Sequence, residues 1–264
     1  MVRVAVGQFG PGDDVAANLR TATGLVRRAA DDGARLVVLP EYASYFTDPM
    51  GPGFAAHAQP LDGPFVDGVR DVAATTGATV AFGLVETGAG ARFRNAAVAV
   101  DGAGVVAVYR KTHLYDAFGA TESRFVEPGV LQPPQTFVVD GLRVGLQTCY
   151  DLRFPEVTRL LADAGVDLVL VPADWVPGPR KAHHWRTLVS ARAIENTAFV
   201  AAAGQVPPAG IGTSLVLDPA GDVLAELGEE PGVAVADLDP ERIREVRAAN
   251  PALALRRYTV VPRG

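Results

Sequence analysis

The sequence contains a single cysteine, Cys149, and this scarcity is informative. One thiol excludes an intramolecular disulfide framework and suits the reducing cytoplasm. Residues 143–146 have strand character, and Pro155 suits the first turn of a following helix. Cys149 is therefore predicted at a strand-to-helix junction, where a helix N-terminus can lower the pKa of a thiol. This stretch alone leaves two readings open, a reactive thiol and a small buried hydrophobe.

Long runs of one residue type are also missing. No apolar run approaches the roughly 20 residues that a membrane span needs. Residues 2–6 have a strand-like pattern, so we expect no signal peptide there. The net charge of −6 and the lack of a Lys/Arg run argue against nucleic acid or a membrane as partner. We therefore expect a cytoplasmic protein that binds a small molecule.

The four histidines give little support to a metal centre. His57 lies in a predicted loop, His113 follows Lys111, and the remaining pair, His183 and His184, opens a predicted helix. None has zinc-ligand spacing with the lone cysteine, although a Cys-His pair stays open by inventory. The sequence also lacks a Gly-x-Ser-x-Gly elbow and a phosphate-binding loop. We therefore predict no metal and no cofactor.

Hydrophobic periodicity predicts an α/β protein, and its 48% hydrophobic content is ample for a core. Two predicted hairpins, within residues 95–109 and 136–147, require mixed sheets. We expect one domain, residues 1–264, with two sheets between outer helices and residues 253–264 as a C-terminal arm. The predicted helices cover residues 15–30, 64–76, 155–164, 179–195 and 240–250. The predicted strands cover residues 2–8, 36–39, 79–85, 95–100, 105–109, 136–139, 143–147, 168–171, 199–203, 214–217, 223–227 and 232–238.

Three residues that can carry acyl-transfer chemistry each follow a predicted apolar strand: Glu41, Lys111 and Cys149. Strand ends gather at one edge of a sheet, where α/β folds tend to build sites. A carboxylate can act as a base, an ammonium can hold an oxyanion and a thiol can attack a carbonyl. Glu41 or Lys111 alone would be interpreted as an exposed charged residue at the end of a strand. The prediction therefore rests on the joint pattern of all three residues.

Three ordered blocks contain this trio. They are Leu39-Pro40-Glu41, Tyr109-Arg110-Lys111-Thr112-His113-Leu114 and Cys149-Tyr150-Asp151-Leu152-Arg153-Phe154-Pro155-Glu156. These blocks resemble the signature blocks of the nitrilase superfamily of carbon-nitrogen hydrolases. The resemblance covers essentially the whole chain and continues through Glu122-Ser123, Pro128-Gly129, Pro172-Ala173-Asp174-Trp175, His184-Trp185, Ala191-Arg192-Ala193-Ile194-Glu195-Asn196 and Arg256-Arg257.

The resemblance implies a four-layer α-β-β-α sandwich of two mixed sheets with outer helices. It implies Cys149 as nucleophile, Glu41 as general base and Lys111 as the cation that stabilises the tetrahedral intermediate. The backbone N–H of Tyr150 would share that role, and Glu122 would help to position the substrate amide. Family members commonly pair through helices that flank the nucleophile, so a homodimer or larger homo-oligomer is expected.

The third block is most similar to the branch of omega-amidases and deaminated-glutathione amidases. This similarity implies hydrolysis of a small linear amide to the acid and ammonia through a thioester on the cysteine. Hydrolysis of a nitrile or an N-carbamoyl compound is an alternative within the same chemistry. A noncatalytic binding protein that retains the fold is an alternative from another class.

The remaining site predictions concern the surroundings of the trio. Asp174 and Trp175 follow a strand that repeats the apolar-proline-acid pattern near Glu41, so both are expected to face the pocket. Trp175 would form a wall, while Asp174 has a second reading as a helix cap. Tyr45 and Phe46, in the loop after Glu41, are expected to help set the size of the acyl chain. An ion pair between Arg153 and Glu156 is expected near the helix start, in preference to the alternative that these residues contact the substrate.

Overall fold

The computed structural model describes residues 1–262, in which single strands and runs of consecutive strands are separated by helices. The strands are β1 (Val2–Gln8), β2 (Leu36–Val38), β3 (Thr79–Glu86), β4 (Arg94–Asp101), β5 (Gly104–Arg110), β6 (Thr136–Val139), β7 (Leu142–Leu146), β8 (Leu168–Ala173), β9 (Phe199–Gly204), β10 (Leu215–Leu217), β11 (Val223–Glu226) and β12 (Gly232–Leu238). The helices are α1 (Val15–Asp31), α2 (Gly53–Ala56), α3 (Pro64–Thr76), α4 (Pro155–Asp163), α5 (Lys181–Asn196) and α6 (Pro240–Ala249). Two short 3₁₀ turns cover Glu122–Arg124 and Cys149–Arg153.

The strands form two mixed six-stranded sheets, with the orders β12-β1-β2-β3-β4-β5 and β11-β10-β9-β8-β7-β6. In the first sheet β2 is parallel to β1 and β3, and in the second sheet β8 is parallel to β7 and β9. The flanking pairs are antiparallel, including the predicted hairpins β4-β5 and β6-β7. The mixed character that the hairpins predict is confirmed.

Three buried clusters divide the molecule into layers. The cluster between the sheets joins Val6 and Val38 of the first sheet to Leu170 of the second. A second cluster packs α1 and α3 against the first sheet through residues such as Val26. A third packs α5 against the second sheet through residues such as Val189. Because both sheets face each other and carry helices outside, the four-layer α-β-β-α sandwich is confirmed.

Local signals set several helix boundaries as the sequence predicts. The Asp14 carboxylate caps α1 by accepting hydrogen bonds from the N–H groups of Ala16 and Ala17. Pro64 occupies the first turn of α3, and Gly77 ends that helix with a left-handed φ of 71°. The structure differs at α5, which begins at Lys181 rather than at residue 179. The short helix α2 lies in a loop for which no helix was predicted.

The chain beyond α6 contains no helix or strand within residues 250–262. A surface ion pair between Arg256 and Asp163 holds this segment to the end of α4. Residues 263–264 of the predicted C-terminal arm lie outside the described residues. No helix in residues 1–262 combines the length and the apolar character needed to cross a membrane.

Candidate active site

The predicted trio is brought together between the two sheets. Glu41 lies just after β2, Lys111 immediately after β5, and Cys149 shortly after β7, so both sheets contribute. All three residues are buried, with exposed fractions of 1%, 2% and 7% respectively. Buried charges must be paired and hydrogen-bonded to remain ionised.

The Lys111 ammonium lies between two carboxylates. Its Nζ donates to Glu41 Oε1 at 2.9 Å and lies 2.9 Å from Glu122 Oε2. The Nδ2 of Asn95 also donates to Oε1 of both carboxylates, at 2.6 Å for Glu41 and 3.1 Å for Glu122. Tyr42 donates its hydroxyl to Glu122 at 2.5 Å. These contacts fix the three charged groups in one arrangement.

Charge pairing keeps Lys111 and Glu122 ionised although both are buried. Burial acts to lower the pKa of Lys111, but the carboxylates of Glu122 and Glu41 outweigh it and hold that pKa well above its usual value. Burial acts to raise the pKa of Glu122, but the Lys111 charge and hydrogen bonds from Tyr42 and Tyr115 lower it. Lys111 is therefore a permanent cation at neutral pH.

Cys149 opens the 3₁₀ turn with a φ of 41°, a left-handed conformation that is uncommon for residues other than glycine. Such strain is often found where a fold must present one side chain at a site. The Cys149 Sγ–H donates to the backbone carbonyl of Asp174 at 3.3 Å. The turn thus holds the sulfur against the end of β8.

The expectation of a lowered thiol pKa is wrong for this structure. Burial raises the pKa of Cys149 well above its usual value, and the Glu41 carboxylate raises it further, while Lys111 opposes them only in part. Five residues of 3₁₀ turn provide only a weak dipole compared with these effects. Attack by this sulfur therefore requires a base, and Glu41 is the adjacent carboxylate.

Asp151 links the turn of Cys149 to the strand end that carries Lys111. It is fully buried and accepts hydrogen bonds from Tyr109 Oη at 2.8 Å and from the backbone N–H of Thr148 at 3.2 Å. Its Oδ1 lies 2.8 Å from Nδ1 of His113. Sequence reasoning did not identify this residue, although Asp151 lies two positions after the nucleophile. Nothing in the sequence shows that it contacts the Lys111 block.

A small cleft lies over the sulfur. It is lined by Tyr115, Cys149, Tyr150, Arg153, Asp174, Trp175, Val176 and Lys181. Asp174 and Trp175 thus lie where the sequence placed them, and Tyr150 forms part of the same wall. The indole N–H of Trp175 donates to the Lys181 carbonyl at 2.9 Å, which fixes the indole against the start of α5.

Two cations at this cleft were not predicted as site residues. The Arg153 guanidinium lies 5.0 Å from the Trp175 ring centroid, and Lys181 donates its Nζ to the Tyr115 hydroxyl at 2.7 Å. The expected ion pair of Arg153 with Glu156 is wrong: no such pair forms among residues 1–262, and Glu156 is exposed on α4. Arg153 turns toward aromatic rings in the cleft instead.

Tyr45 does not reach the cleft. Its ring stacks on His57 at a centroid distance of 4.3 Å and meets Phe54 edge to face at 5.2 Å. It belongs to an aromatic cluster beneath the loop that follows Glu41. Of the predicted site residues, Tyr45 is the one that the structure places apart from Cys149.

Within residues 1–262, no three His, Cys, Asp or Glu side chains are grouped in a way that could hold a metal ion. The carboxylates near the sulfur instead surround an ammonium, Lys111 Nζ. The arrangement can supply a nucleophile, a base and a fixed positive charge without further groups.

Comparison with known proteins identifies the family of this chain. The model of the carbon-nitrogen hydrolase family matches residues 3–248. The deaminated glutathione amidase of Escherichia coli O157:H7 is 38% identical over 255 residues, which cover 97% of each protein. The human deaminated glutathione amidase is 34% identical over 96% of this chain and 82% of its own length.

Solved structures give the same result. The amidase NitN of Nesterenkonia sp. AN1 superposes with a TM-score of 0.83 at 29% identity, covering 97% of both chains. The NitFhit protein of Caenorhabditis elegans gives a TM-score of 0.88 at 30% identity, covering 98% of this chain and 66% of that one. Another structure of the Nesterenkonia amidase records addition of acrylamide at its active-site cysteine.

The fold and site define a hydrolase of the nitrilase superfamily. This chain belongs to the carbon-nitrogen hydrolase family, and its activity class is that of the family's amidases.

Proposed function

We propose that this chain hydrolyses the terminal amide of a small carboxylic acid, releasing ammonia through a thioester on Cys149. The observation that carries the proposal is the placement of Lys111 Nζ between Glu41 and Glu122, beside a buried sulfur that opens into the cleft. The substrate is an amide at one end, which meets these groups, and a carboxylate at the other, which meets Arg153 and Lys181.

In the first step, Glu41 takes the proton from Cys149 Sγ as the sulfur attacks the amide carbonyl carbon. A C–S bond forms, and the carbonyl oxygen takes the negative charge. An ammonium has three N–H donors, and Lys111 can turn one toward this oxygen while the others stay on the carboxylates. The N–H of Tyr150 has no acceptor in the described chain and supplies a second donor.

In the second step, the intermediate collapses. The protonated Glu41 gives its proton to the nitrogen, the C–N bond breaks and ammonia leaves, with the acyl group held as a thioester on Cys149. Glu41 then takes a proton from water, whose oxygen attacks the thioester carbon. The C–S bond breaks, the sulfur recovers its proton, and the acid leaves. The same carboxyl group thus serves both half-reactions.

Glu122 acts in this scheme by position rather than by proton transfer. Its carboxylate accepts from Tyr42 and from the backbone N–H of Tyr115, each at 2.5 Å, and from Lys111. These donors keep its pKa low, so it stays an anion while Glu41 gains and loses a proton. Glu122 therefore holds the ammonium in place when Glu41 is protonated.

The two cations of the cleft support a carboxylate on the substrate. Neither Arg153 nor Lys181 forms an ion pair with a carboxylate in residues 1–262. Burial lowers the pKa of Lys181, and the positive charge of Arg153 lowers it further. Two like charges at one cleft favour binding of an anion, because the anion relieves their repulsion. Aromatic rings at Tyr115 and Trp175 hold both cations in place.

The relatives named deaminated glutathione amidase support an amide substrate with an acidic group. Nitriles and N-carbamoyl compounds remain the competing substrates for the same chemistry. A noncatalytic binding protein would not need a buried base, cation and thiol in mutual contact, since burial of those charges is costly. The complete arrangement therefore favours an enzyme.

A matched substrate pair tests the proposal. Ammonia release would be measured with succinamate, which carries a carboxylate, and with butyramide, which has the same length without it. We expect the wild type to prefer succinamate by at least about tenfold in kcat/KM, because a hydrogen bond to a charged group contributes about 1.5–3 kcal/mol. Absence of ammonia from every amide, carbamoyl compound and nitrile tested would contradict the enzymatic proposal.

Variants of the cations identify the source of that preference. Arg153→Met and Lys181→Met keep the aliphatic contacts with the aromatic rings but remove the charge. Each should lower kcat/KM for succinamate at least tenfold and leave that for butyramide within about threefold. Arg35→Met, which breaks an exposed ion pair with Asp140, serves as the control. Equal losses on both substrates would argue against carboxylate recognition.

We further infer that the chain acts as one catalytic domain and as a cytoplasmic homodimer or larger homo-oligomer. Both sheets supply residues to the site, which supports a single domain. A reducing compartment suits a nucleophile that is the only thiol of the chain. Ile194 is 47% exposed on the outer face of α5, where paired helices would cover it. Sedimentation equilibrium measures the oligomer, and a monomer at micromolar concentration would contradict this inference.

A further inference from the structure

Asp174 has an acidic side chain for which the mechanism above has no use. It follows β8, is 8% exposed and lines the cleft with Cys149. Its backbone N–H donates to Glu41 Oε2 at 2.7 Å, and its backbone carbonyl accepts from Cys149 Sγ at 3.3 Å. The main chain of Asp174 thus contacts both Cys149 and Glu41.

One carboxyl oxygen of Asp174, Oδ1, is buried and has no hydrogen-bond partner among residues 1–262. Buried polar atoms without partners are rare in folded proteins, and they are expected at sites where a ligand completes the bonding. The reading of Asp174 as a helix cap has no support, since α5 begins at Lys181 after Arg180 and has no side-chain cap. The free oxygen therefore indicates a donor that arrives with the substrate.

The charges around this group favour its neutral form. Burial and the Glu41 carboxylate raise the pKa of Asp174 to about 8, against the opposing effect of Lys111. The charged or titratable groups near it are Glu41, Tyr42, Lys111, Asp48, Glu122, Cys149 and Lys181. A neutral carboxyl group places no second negative charge beside the base. Its carbonyl oxygen still accepts a hydrogen bond.

The geometry of the reaction identifies the donor. Glu41 must lie beside the amide nitrogen in order to give it a proton, and Asp174 is bonded to Glu41 through its own N–H. The nitrogen of a primary amide carries two N–H groups, and the leaving nitrogen lies next to Glu41. A nitrile or an ester presents no N–H at that position. An acceptor placed there therefore distinguishes primary amides from both.

We propose that the side-chain carboxyl group of Asp174 binds the NH₂ group of the substrate and makes the site select primary amides over nitriles and esters. This inference rests on the proposed function, whose substrate amide it deepens. Asp174 acts by binding the reacting group, while Glu41 remains the base. The proposal separates the amide from the nitrile alternative by a named contact.

Alkylation of Cys149 tests this contact without turnover. Its sulfur displaces iodide from iodoacetamide, which carries an NH₂ group, or from iodoacetonitrile, which does not, and intact-mass spectrometry follows both rates. The ratio of the iodoacetamide rate to the iodoacetonitrile rate should be at least about tenfold higher for the wild type than for free N-acetylcysteine at the same pH. A wild-type ratio equal to that of the free thiol would overturn the proposal, whether or not any variant folds.

Variants then assign the effect to the side chain. Asp174→Ala should lower the iodoacetamide-to-iodoacetonitrile ratio about tenfold, while Asp174→Asn, which keeps a carbonyl oxygen, should stay within about threefold of the wild type. Asp237→Ala makes the same change at an exposed ion pair on β12 and should leave the ratio unchanged. A purely structural or electrostatic role would change both rates together. An unchanged ratio in Asp174→Ala would therefore overturn the proposal.

Turnover gives a second reading. Asp174→Ala should lower kcat/KM for succinamate at least tenfold and that for its methyl ester analogue by no more than about threefold. If the wild type hydrolyses no acid amide, the proposed function fails, yet the alkylation ratio still decides whether Asp174 binds the NH₂ group. Parallel losses on amide and ester would contradict the binding role even in an active enzyme.

Discussion

Lys111 shows how the proposed catalysis and the stability of the fold depend on the same contacts. Its ammonium is buried against two carboxylates, so each of the three charges offsets the desolvation of the others. An exposed lysine could hold an oxyanion only weakly, because water screens its charge. In this site the ammonium is fixed before the substrate arrives. Removal of Lys111 must therefore affect both the reaction and the fold.

The variant Lys111→Met leaves Glu41 and Glu122 buried without a cation. We expect kcat to fall by at least 10²-fold, as for loss of an oxyanion donor. The free energy of unfolding should fall by about 3–5 kcal/mol at pH 7, as for other broken buried pairs. Without the Lys111 charge, burial raises the pKa of Glu122, so this loss should be smaller at pH 5 than at pH 7. Urea unfolding at both pH values measures it, and an equal loss would contradict the account.

For a variant of Asp174, we expect the stability relative to the wild type to rise with pH, opposite to the trend for Lys111→Met. Its pKa rises from about 4 in the unfolded chain to about 8 in the folded one, so the folded state holds the extra proton in between. The wild type therefore loses stability as pH rises from 4 to 8, by at most about 1.4 kcal/mol per pH unit from this group. Asp174→Asn lacks that proton and should gain stability relative to the wild type across this range. Parallel unfolding curves against pH would argue against a neutral Asp174.

At the scale of residues, strand ends and ordered blocks predicted that Glu41, Lys111 and Cys149 lie close together, and the structure places them so. Arg153 and Lys181 were not predicted as a cation pair, since one follows the nucleophile and the other begins α5. Only tertiary packing brings them to the same cleft. The thiol pKa was also predicted in the wrong direction, because burial beside Glu41 outweighs any dipole of the short turn.

At the scale of elements, the turn after β7 is held by the strand end after β5. Asp151 makes this connection through its contacts with Tyr109 and His113. The ring of His113 also stacks on Phe154 with a centroid distance of 3.8 Å, which places a flat apolar contact beside the hydrogen bonds. The nucleophile and the cation are thus positioned by one network that joins two sheets.

Asp151→Asn should loosen this connection while it preserves side-chain size. We expect a loss of about 1–3 kcal/mol in the free energy of unfolding, and kcat should fall at least about tenfold. Asp218→Asn is the matched control, because Asp218 is also buried and accepts backbone N–H bonds in a turn far from the cleft. The control should lose similar stability and keep kcat within about threefold. Equal kcat values for the two variants would contradict a positioning role for Asp151.

Most helices and strands were predictable from hydrophobic periodicity and from the turn-forming residues that bound them. Strands β1 to β5 and the two hairpins follow alternating or continuous apolar runs bounded by Gly and Asp. The helix α2 was missed because its four residues carry no periodic signal, and its stability comes from burial of Phe54. The start of α5 was predicted two residues early because Pro179 suits the first turn of a helix. Arg180 instead has a left-handed φ of 60°, so the helix begins only at Lys181.

At the scale of the whole molecule, the site depends on the alignment of two sheets. Gln205, just after β9 of the second sheet, donates its Nε2 to the Glu41 carbonyl of the first at 2.9 Å. Gln8 makes a similar connection elsewhere, since its Oε1 accepts from the N–H of Ser214 at 2.9 Å. Both glutamines are fully buried, but only Gln205 contacts the backbone of Glu41, the proposed base.

Variants of Gln205 and Gln8 test whether the alignment of the two sheets supports the site. Gln205→Ala and Gln8→Ala should each lower the free energy of unfolding by about 1–3 kcal/mol, since each leaves a buried partner unpaired. Only Gln205→Ala should also lower kcat, by about tenfold or more, because Glu41 loses its support from the second sheet. Stability from urea unfolding and kcat from ammonia release would be compared in the same buffer. A loss of kcat in both variants that follows stability alone would argue against this account.

The two-sheet architecture followed from the hairpins, but the cleft did not. Sequence patterns describe which residues lie on a strand or a helix, whereas the cleft is formed where the ends of both sheets meet the start of α5. Tyr45 illustrates the difference, since its loop leads away from Glu41 into an aromatic cluster. Direction of a loop depends on packing that no local pattern encodes.

The central claim is that Cys149 carries the acyl group of the substrate. Rapid-quench intact-mass spectrometry during succinamate hydrolysis, with ammonia measured in the same samples, tests it most directly. The account predicts a mass increase equal to the acyl group on the wild type, at Cys149, together with ammonia release. Both signals should be absent from Cys149→Ala. Continued release of ammonia by folded Cys149→Ala would contradict the claim.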